Sequence, residues 1–273
     1  SCEDEPIDIL GTATNYTSVN WTTSGDGSFS DDTSLQTTYT PGPNDQIVTT
    51  AILTLEAVGT PPCTNQTDFL TVTFNDRPSI DVGSDIIACE NEEVTFNDVI
   101  VQDFDTLQWI TSGSGTLLNP TTASPTYIPG TGETGIVTFT LTVSPVAPCI
   151  GDEIVQKIIE YNASPTVNAG SDATLCEENG SYTIPDAQES NTNGIQWNAP
   201  LGDGTFVNDT SLTPTYTPGQ NDYINGFVEL EITGFGLQAC PSVTDSMILT
   251  LIPNAIVDAG PDSFICEGET FTI

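Results

Sequence analysis

The sequence contains no histidine, one methionine and only two cations, Arg77 and Lys157, against 38 acidic residues. Each scarcity removes a class of function. A net charge of -36 leaves no basic surface that could track phosphates, so no nucleic-acid partner is expected and anionic membranes are poor partners. With no histidine and no nucleophile motif, the usual acid–base and nucleophilic schemes lose their members, and zinc would need a four-thiolate site that the cysteine spacing does not offer. Paired carboxylates alone serve glycoside hydrolysis, but carboxylates this abundant form pairs by chance, and no enzyme is expected. No run of 18 apolar residues occurs, so no membrane insertion is expected, and Ser1-Cys2-Glu3-Asp4 has neither the basic nor the apolar part of a signal peptide.

What the chain does contain is a repeat. Trp21, Trp109 and Trp197 are spaced 88 residues apart, and Tyr39, Tyr127 and Tyr216 are each followed two residues later by Pro-Gly. The seven cysteines form two interleaved series, Cys2, Cys89, Cys176 and Cys266, then Cys63, Cys149 and Cys240. Cysteines used this regularly belong to an oxidising compartment, so the chain is expected to be exported. Copies open on an extended segment ending in Gly-x-Asp: Ile80-Asp81-Val82-Gly83-Ser84-Asp85, Val167-Asn168-Ala169-Gly170-Ser171-Asp172 and Val257-Asp258-Ala259-Gly260-Pro261-Asp262. The first copy lacks this opening and the last stops soon after Cys266, which leads to the expectation of a longer parent array. The expected domains are 1–77 with its first strand missing, 78–164, 165–254, and 255–273 as the beginning of a further repeat.

Strand signals dominate each copy. In Val137-Thr138-Phe139-Thr140-Leu141-Thr142-Val143 apolar residues alternate with threonine, a period of two that buries one face. Clusters such as Ser24-Gly25-Asp26-Gly27, Pro41-Gly42-Pro43-Asn44-Asp45 and Pro218-Gly219-Gln220-Asn221-Asp222 read as turns. No helix is expected. The fold class is all-β: a tandem array of antiparallel immunoglobulin-like or PKD-like β-sandwiches of about 88 residues, each anchored by its tryptophan and stacked into an elongated rod. The Cys, Trp, Cys order resembles an immunoglobulin domain. Here, however, the first cysteine precedes the second expected strand and the second lies in the loop before the last, which points to a bridge at one pole. The expected disulfides are Cys2–Cys63, Cys89–Cys149 and Cys176–Cys240, with Cys266 left unpaired by truncation.

The recurring text runs Ala-Gly-x-Asp, Cys-Glu, Trp-x-Thr-Ser-Gly-Asp-Gly-x-Phe and Thr-Tyr-Thr-Pro-Gly, and stands here as Trp21 to Phe29 and Thr38 to Asp45. It resembles the PKD-like and immunoglobulin-like repeats of Bacteroidota cell-surface adhesins, including the giant adhesins of gliding flavobacteria exported by the type IX secretion system. That resemblance implies an extracellular, cell-surface chain engaged in adhesion or gliding; the residues alone imply a secreted stalk.

Calcium is the candidate ion, because hard cations take carboxylate and carbonyl oxygen ligands. Asp85, Asp172 and Asp262 precede a first-series cysteine by four residues, and Glu90, Glu177 and Glu267 follow one directly. No other cofactor is required. Asp26, Asp31, Asp32, Asn44 and Asp45 recur only in the third copy, as Asp203, Asp209, Asn221 and Asp222, and are read as turn residues. Asp105-Thr106-Leu107 and Asp245-Ser246-Met247 look like an O-glycosylation pattern of Bacteroidota, which makes Thr106 and Ser246 candidate modification sites. The expected partners are neighbouring repeats of the same chain and surface glycans or substratum. Two other roles stay open: a glycan-binding accessory module using exposed aromatics such as Tyr223 or Phe235, and a protomer of a surface filament.

Overall fold

Alternating apolar and hydroxyl side chains become strands buried on one face. Strand Gly135–Pro145 buries Val137, Phe139, Leu141 and Val143 and turns the residues between them outward. It pairs antiparallel with Phe104–Thr111 on one side and Glu153–Asn162 on the other. The same arrangement occurs three times. The computed structural model describes every residue except Pro261, Ser263, Glu269 and residues 271–273, which fall within the expected further repeat at 255–273.

Three hydrophobic cores form, around Trp21 and Tyr39, around Trp109 and Tyr127, and around Trp197 and Tyr216. Each tryptophan fills the space between two sheets. In the second sandwich the four-stranded sheet has the order Phe104–Thr111, Gly135–Pro145, Glu153–Asn162, Ile86–Cys89. In the third the order is Ala173–Cys176, Val243–Ile252, Phe227–Gly236, Thr192–Asn198, and its first pair is parallel. The first sandwich has three strands there, Tyr16–Thr23, Thr50–Gly59 and Gln66–Thr73. The opening segments of the second and third sandwiches, Ser79–Asp81 and Thr166–Asn168, pair with Ile100–Gln102 and Gln188–Ser190. The chain divides into two compact units, Ser1–Tyr161 and Asn162–Ile273, the first holding two of these cores and the second one.

The all-β expectation holds, with one difference. Two clusters read as turns are six-residue helices, Pro43–Val48 and Gln220–Asn225. Pro43 stands in the first helical turn, where its missing N–H costs nothing. The buried Asp45 and Asp222 carboxylates accept the Gly42 and Gly219 amides at 3.0 and 2.9 Å and so satisfy donors at the helix start. In the second sandwich the same stretch contains Gly132 at a φ of 72°, which helix geometry does not allow, and it remains a turn.

Candidate functional site at the junction of two sandwiches

Cys2 forms an isolated parallel bridge with Asn75, just beyond the last strand of the first sandwich. Cys149 lies in the loop between Gly135–Pro145 and Glu153–Asn162 of the second, and its sulfur is 3.3 Å from the Asn75 carbonyl. The two cysteines are bonded, with Cα atoms 4.8 Å apart and a sequence separation of 147. Cys89 and Cys240 are also disulfide-bonded, while Cys63, Cys176 and Cys266 are exposed free thiols.

This corrects the expected pairings Cys2–Cys63, Cys89–Cys149 and Cys176–Cys240. The physical reason is that the two cysteines of one repeat sit at opposite ends of its last long strand. In the third sandwich Cys176 pairs with Ile252, the final residue of Val243–Ile252, whereas Cys240 stands just before that strand begins. Ten strand residues span roughly 30 Å, and a disulfide requires Cα atoms within about 7 Å. A bridge inside one sandwich is therefore out of reach, whereas the end of one sandwich and the start of the next are adjacent.

Arg77 reinforces the bridge. Its guanidinium donates to Asp4 at 3.1 Å, to Glu5 at 3.2 Å and to the Ile150 carbonyl at 3.0 Å, and its amide donates to Glu3 at 3.2 Å. Asn75 donates to the Ala147 carbonyl at 2.7 Å. One cation thus ties the acidic N-terminal segment of the first sandwich to the Cys149 loop of the second. Cys2, Asp4 and Glu5 are the one group of three potential ligands gathered among the described residues. The Cys2 sulfur is in a disulfide, and both carboxylates pair with the Arg77 guanidinium.

The candidate calcium ligands are dispersed. Asp85 and Asp172 accept the Ile158 and Ile248 amides at 2.9 and 2.8 Å, and Glu177 accepts the Asn254 amide at 2.9 Å. Glu90 is half-buried, and Asp262 and Glu267 are exposed. Among the described residues no three of the six come together.

Each sandwich also contains a tyrosine–carboxylate latch that the sequence reading missed, buried in the first and third and half-buried at Glu133 in the second. Tyr39 donates to Asp45 at 2.6 Å, Tyr127 to Glu133 at 2.6 Å and Tyr216 to Asp222 at 2.7 Å. The carboxylates also accept loop amides, those of Gly27 and Gly42, of Ser114 and Gly130, and of Asp203 and Gly219. Burial and then the Glu133 acceptor push the Tyr127 hydroxyl up to about 12. Burial alone would raise Glu133, but its hydrogen bonds from Tyr127, Ser114 and Gly130 outweigh it and hold the carboxyl below its ordinary value. Asp26 accepts the Asn44 and Asp45 amides, and Asp31 accepts Thr33, both as turn closures.

Lys157 is fully buried under the opening segment of the second sandwich. Its ammonium donates to the Val82 and Ser84 carbonyls at 2.6 and 2.5 Å and pairs with Asp98 at 3.1 Å, 5.6 Å above the Phe96 ring. Thr106 and Ser246 are exposed strand residues; Tyr223 packs on the third core, and Phe235 is exposed. Among the described residues no helix is long and apolar enough to cross a membrane.

No protein-family model matches the chain, and no curated protein does. Solved structures of similar overall architecture include the I-band fragment I67–I69 of titin (TM-score 0.45, 10% identity, 90% of this chain and 98% of that one). They also include extracellular cadherin domains 3–6 of protocadherin gamma B2 (0.43, 12%, 92% and 77%). A third is immunoglobulin domains 1–4 of sidekick-1 (0.40, 12%, 92% and 73%). All are tandem immunoglobulin or cadherin domains, and likeness at this level carries no functional argument.

Proposed function

We propose that this chain is a load-bearing stalk segment of a large extracellular bacterial surface adhesin, giving reach and rigidity for attachment or gliding. The observation that carries this reading is that the Cys2–Cys149 bridge joins consecutive sandwiches instead of closing one. Tension entering at Ser1 passes through the two sulfurs and onward along Glu153–Asn162. The residues between Cys2 and Cys149 lie in a closed loop outside that path, so a first sandwich that opens under load does not lengthen the stalk. The bridge and the direct link through Asn75, Arg77 and Pro78 form two connections at one junction, which restricts bending and twisting.

Disulfides form and persist in an oxidising, extracellular or secreted setting. The bacterial surface origin rests on the resemblance of the Trp21 to Phe29 and Thr38 to Asp45 motifs. A surface carrying -36 charges keeps neighbouring stalks apart. Catalysis has no part in this reading, and the tyrosine–carboxylate pairs are held by each other and by loop amides. Calcium at Asp85, Glu90, Asp172, Glu177, Asp262 and Glu267 would add stiffness, but the junction described here draws its cation from Arg77.

Single-molecule pulling with handles at Ser1 and the exposed Glu160 tests the reading. With the bridge intact the segment extends by only a few residues. Reduction releases the loop of 147 residues, adding on the order of 500 Å at about 3.4 Å per residue. Equal extension before and after reduction would remove the load-bearing role.

A further inference from the structure

Asparagine or aspartate followed by glycine is open to attack on its own side chain, because glycine has no Cβ to shield the amide that follows. The sequence has five such pairs: Asp26-Gly27, Asn179-Gly180, Asn193-Gly194, Asp203-Gly204 and Asn225-Gly226. In four of them the glycine amide is engaged. Gly27 donates to the Asp45 carboxylate and Gly204 to the Tyr216 hydroxyl, both at 3.1 Å. Gly180 donates to the Glu177 carbonyl at 3.1 Å and Gly226 to the Asp222 carbonyl at 2.9 Å, each closing a short helical turn.

The Asn193-Gly194 pair is placed differently. It lies in Thr192–Asn198, the strand that carries Trp197 and forms one edge of the four-stranded sheet of the third sandwich. Thr192 faces Gly236 and Ile195 faces Gly234, so Asn193 and Gly194 together stand opposite the single residue Phe235 in a bulge. Both are exposed, and no atom lies within 4 Å of the place where a Gly194 side chain would begin. Gly194 has a φ of 125°, a conformation open to glycine. The polar side chains just before the pair are tied down, Asn191 to the Ser164 carbonyl at 3.1 Å and Thr192 to Glu189 at 2.7 Å.

We propose that Asn193 is a site of self-catalysed modification, in which the Gly194 backbone nitrogen attacks the Asn193 side-chain carbonyl carbon and closes a succinimide ring. The bond that forms is N–Cγ and the bond that breaks is Cγ–Nδ2. The leaving nitrogen takes the Gly194 amide proton and departs as ammonia. Water then adds to either ring carbonyl and reopens the ring as aspartate or isoaspartate. One water enters, one ammonia leaves, and nothing is oxidised. Having nucleophile and carbon in adjacent residues supplies the effective concentration, and the bulge supplies the backbone freedom that the four engaged pairs lack. The aspartate product is one this fold already accommodates, since Asp105 stands in the corresponding bulge of Phe104–Thr111, two residues before Leu107. The isoaspartate product puts an extra methylene into the backbone of the strand that carries Trp197. Either product adds a negative charge to the third sandwich.

Peptide mass mapping of the folded, unreduced chain after days at mildly alkaline pH in heavy-oxygen water tests this. The Asn193 peptide is expected to exchange NH for one labelled oxygen about tenfold or more faster than the Asn179 and Asn225 peptides, whose glycine amides must first give up a hydrogen bond. Its product should resolve into aspartate and isoaspartate forms. In urea, where the engaged amides are released, the three rates should converge. Asn193→Gln changes only an exposed side chain and should suppress the conversion in that peptide. Equal rates in the folded chain, a lead for Asn193 that persists undiminished in urea, or aspartate without isoaspartate would each overturn the proposal. None of these outcomes touches the stalk reading, which rests on the Cys2–Cys149 bridge.

Discussion

Lys157 holds the opening segment of the second sandwich by two carbonyls and one carboxylate, a task that falls to the apolar Met247 in the third. Lys157→Met would leave the Val82 and Ser84 carbonyls without their donor, and a loss of about 1–3 kcal/mol is expected in urea unfolding of that sandwich. Asp98 itself costs little there, because it reaches solvent. The latches set the pH range. Tyr127 is raised above its ordinary value of 10 to about 12, so the unfolded chain loses this proton first. Its contribution is complete below pH 10 and is lost as pH rises to about 12. Tyr161 and Tyr216 are shifted in the same direction, so Tyr127→Phe should flatten only part of the alkaline decline in urea midpoint. Glu133 acts oppositely: its lowered value stabilises the fold above pH 4.5 and stops doing so as pH falls through the folded-state value. The spacing of six from each tyrosine to its acid was legible in all three copies. Glu133 in place of Asp45 reads in the sequence as the loss of a site, but the longer side chain reaches the same hydroxyl from a turn instead of a helix.

Among elements, the opening segment most affects how complete a sandwich is. Its Gly-x-Asp signature was legible as a turn, and the reason for the glycine is now visible. At Gly83, φ is 69° and a Cβ would meet the Asp98 carboxylate at 1.9 Å. Gly83→Ala is therefore expected to cost about 1–3 kcal/mol through backbone strain and displacement of the Lys157 partner, with faster amide exchange at Ile80 as the local sign. Amide exchange at Ile80 that matched the wild type would show that the turn does not hold the strand. The two short helices were not legible because their stability comes from one buried carboxylate capping the first turn, while their sequence, Pro-Gly followed by Asn-Asp, has the composition of a loop.

At the largest scale, the Cys2–Cys149 bridge separates two independent sandwiches within Ser1–Tyr161 from two that are stapled at their junction. Proteolysis without reduction is expected to release a peptide joining Cys2 to Cys149, and iodoacetamide is expected to label Cys63 and Cys176 in the unreduced protein. A Cys2–Cys63 peptide would reverse this topology. In Cys2→Ser, the Asn75 and Arg77 amides, which donate to Ser1 and Glu3 beside the bridge, should exchange faster while the two cores keep their protection. The sequence by itself determined the period, the strand alternation, the tryptophan at each core and the oxidising compartment, because these follow from local pattern and composition. The tertiary structure decided which cysteines meet, because two residues of one repeat that look close in a pattern stand at opposite ends of a ten-residue strand. It also decided where the two cations go, since only packing reveals that Lys157 lies beneath Val82 and Ser84 and that Arg77 faces the Cys149 loop.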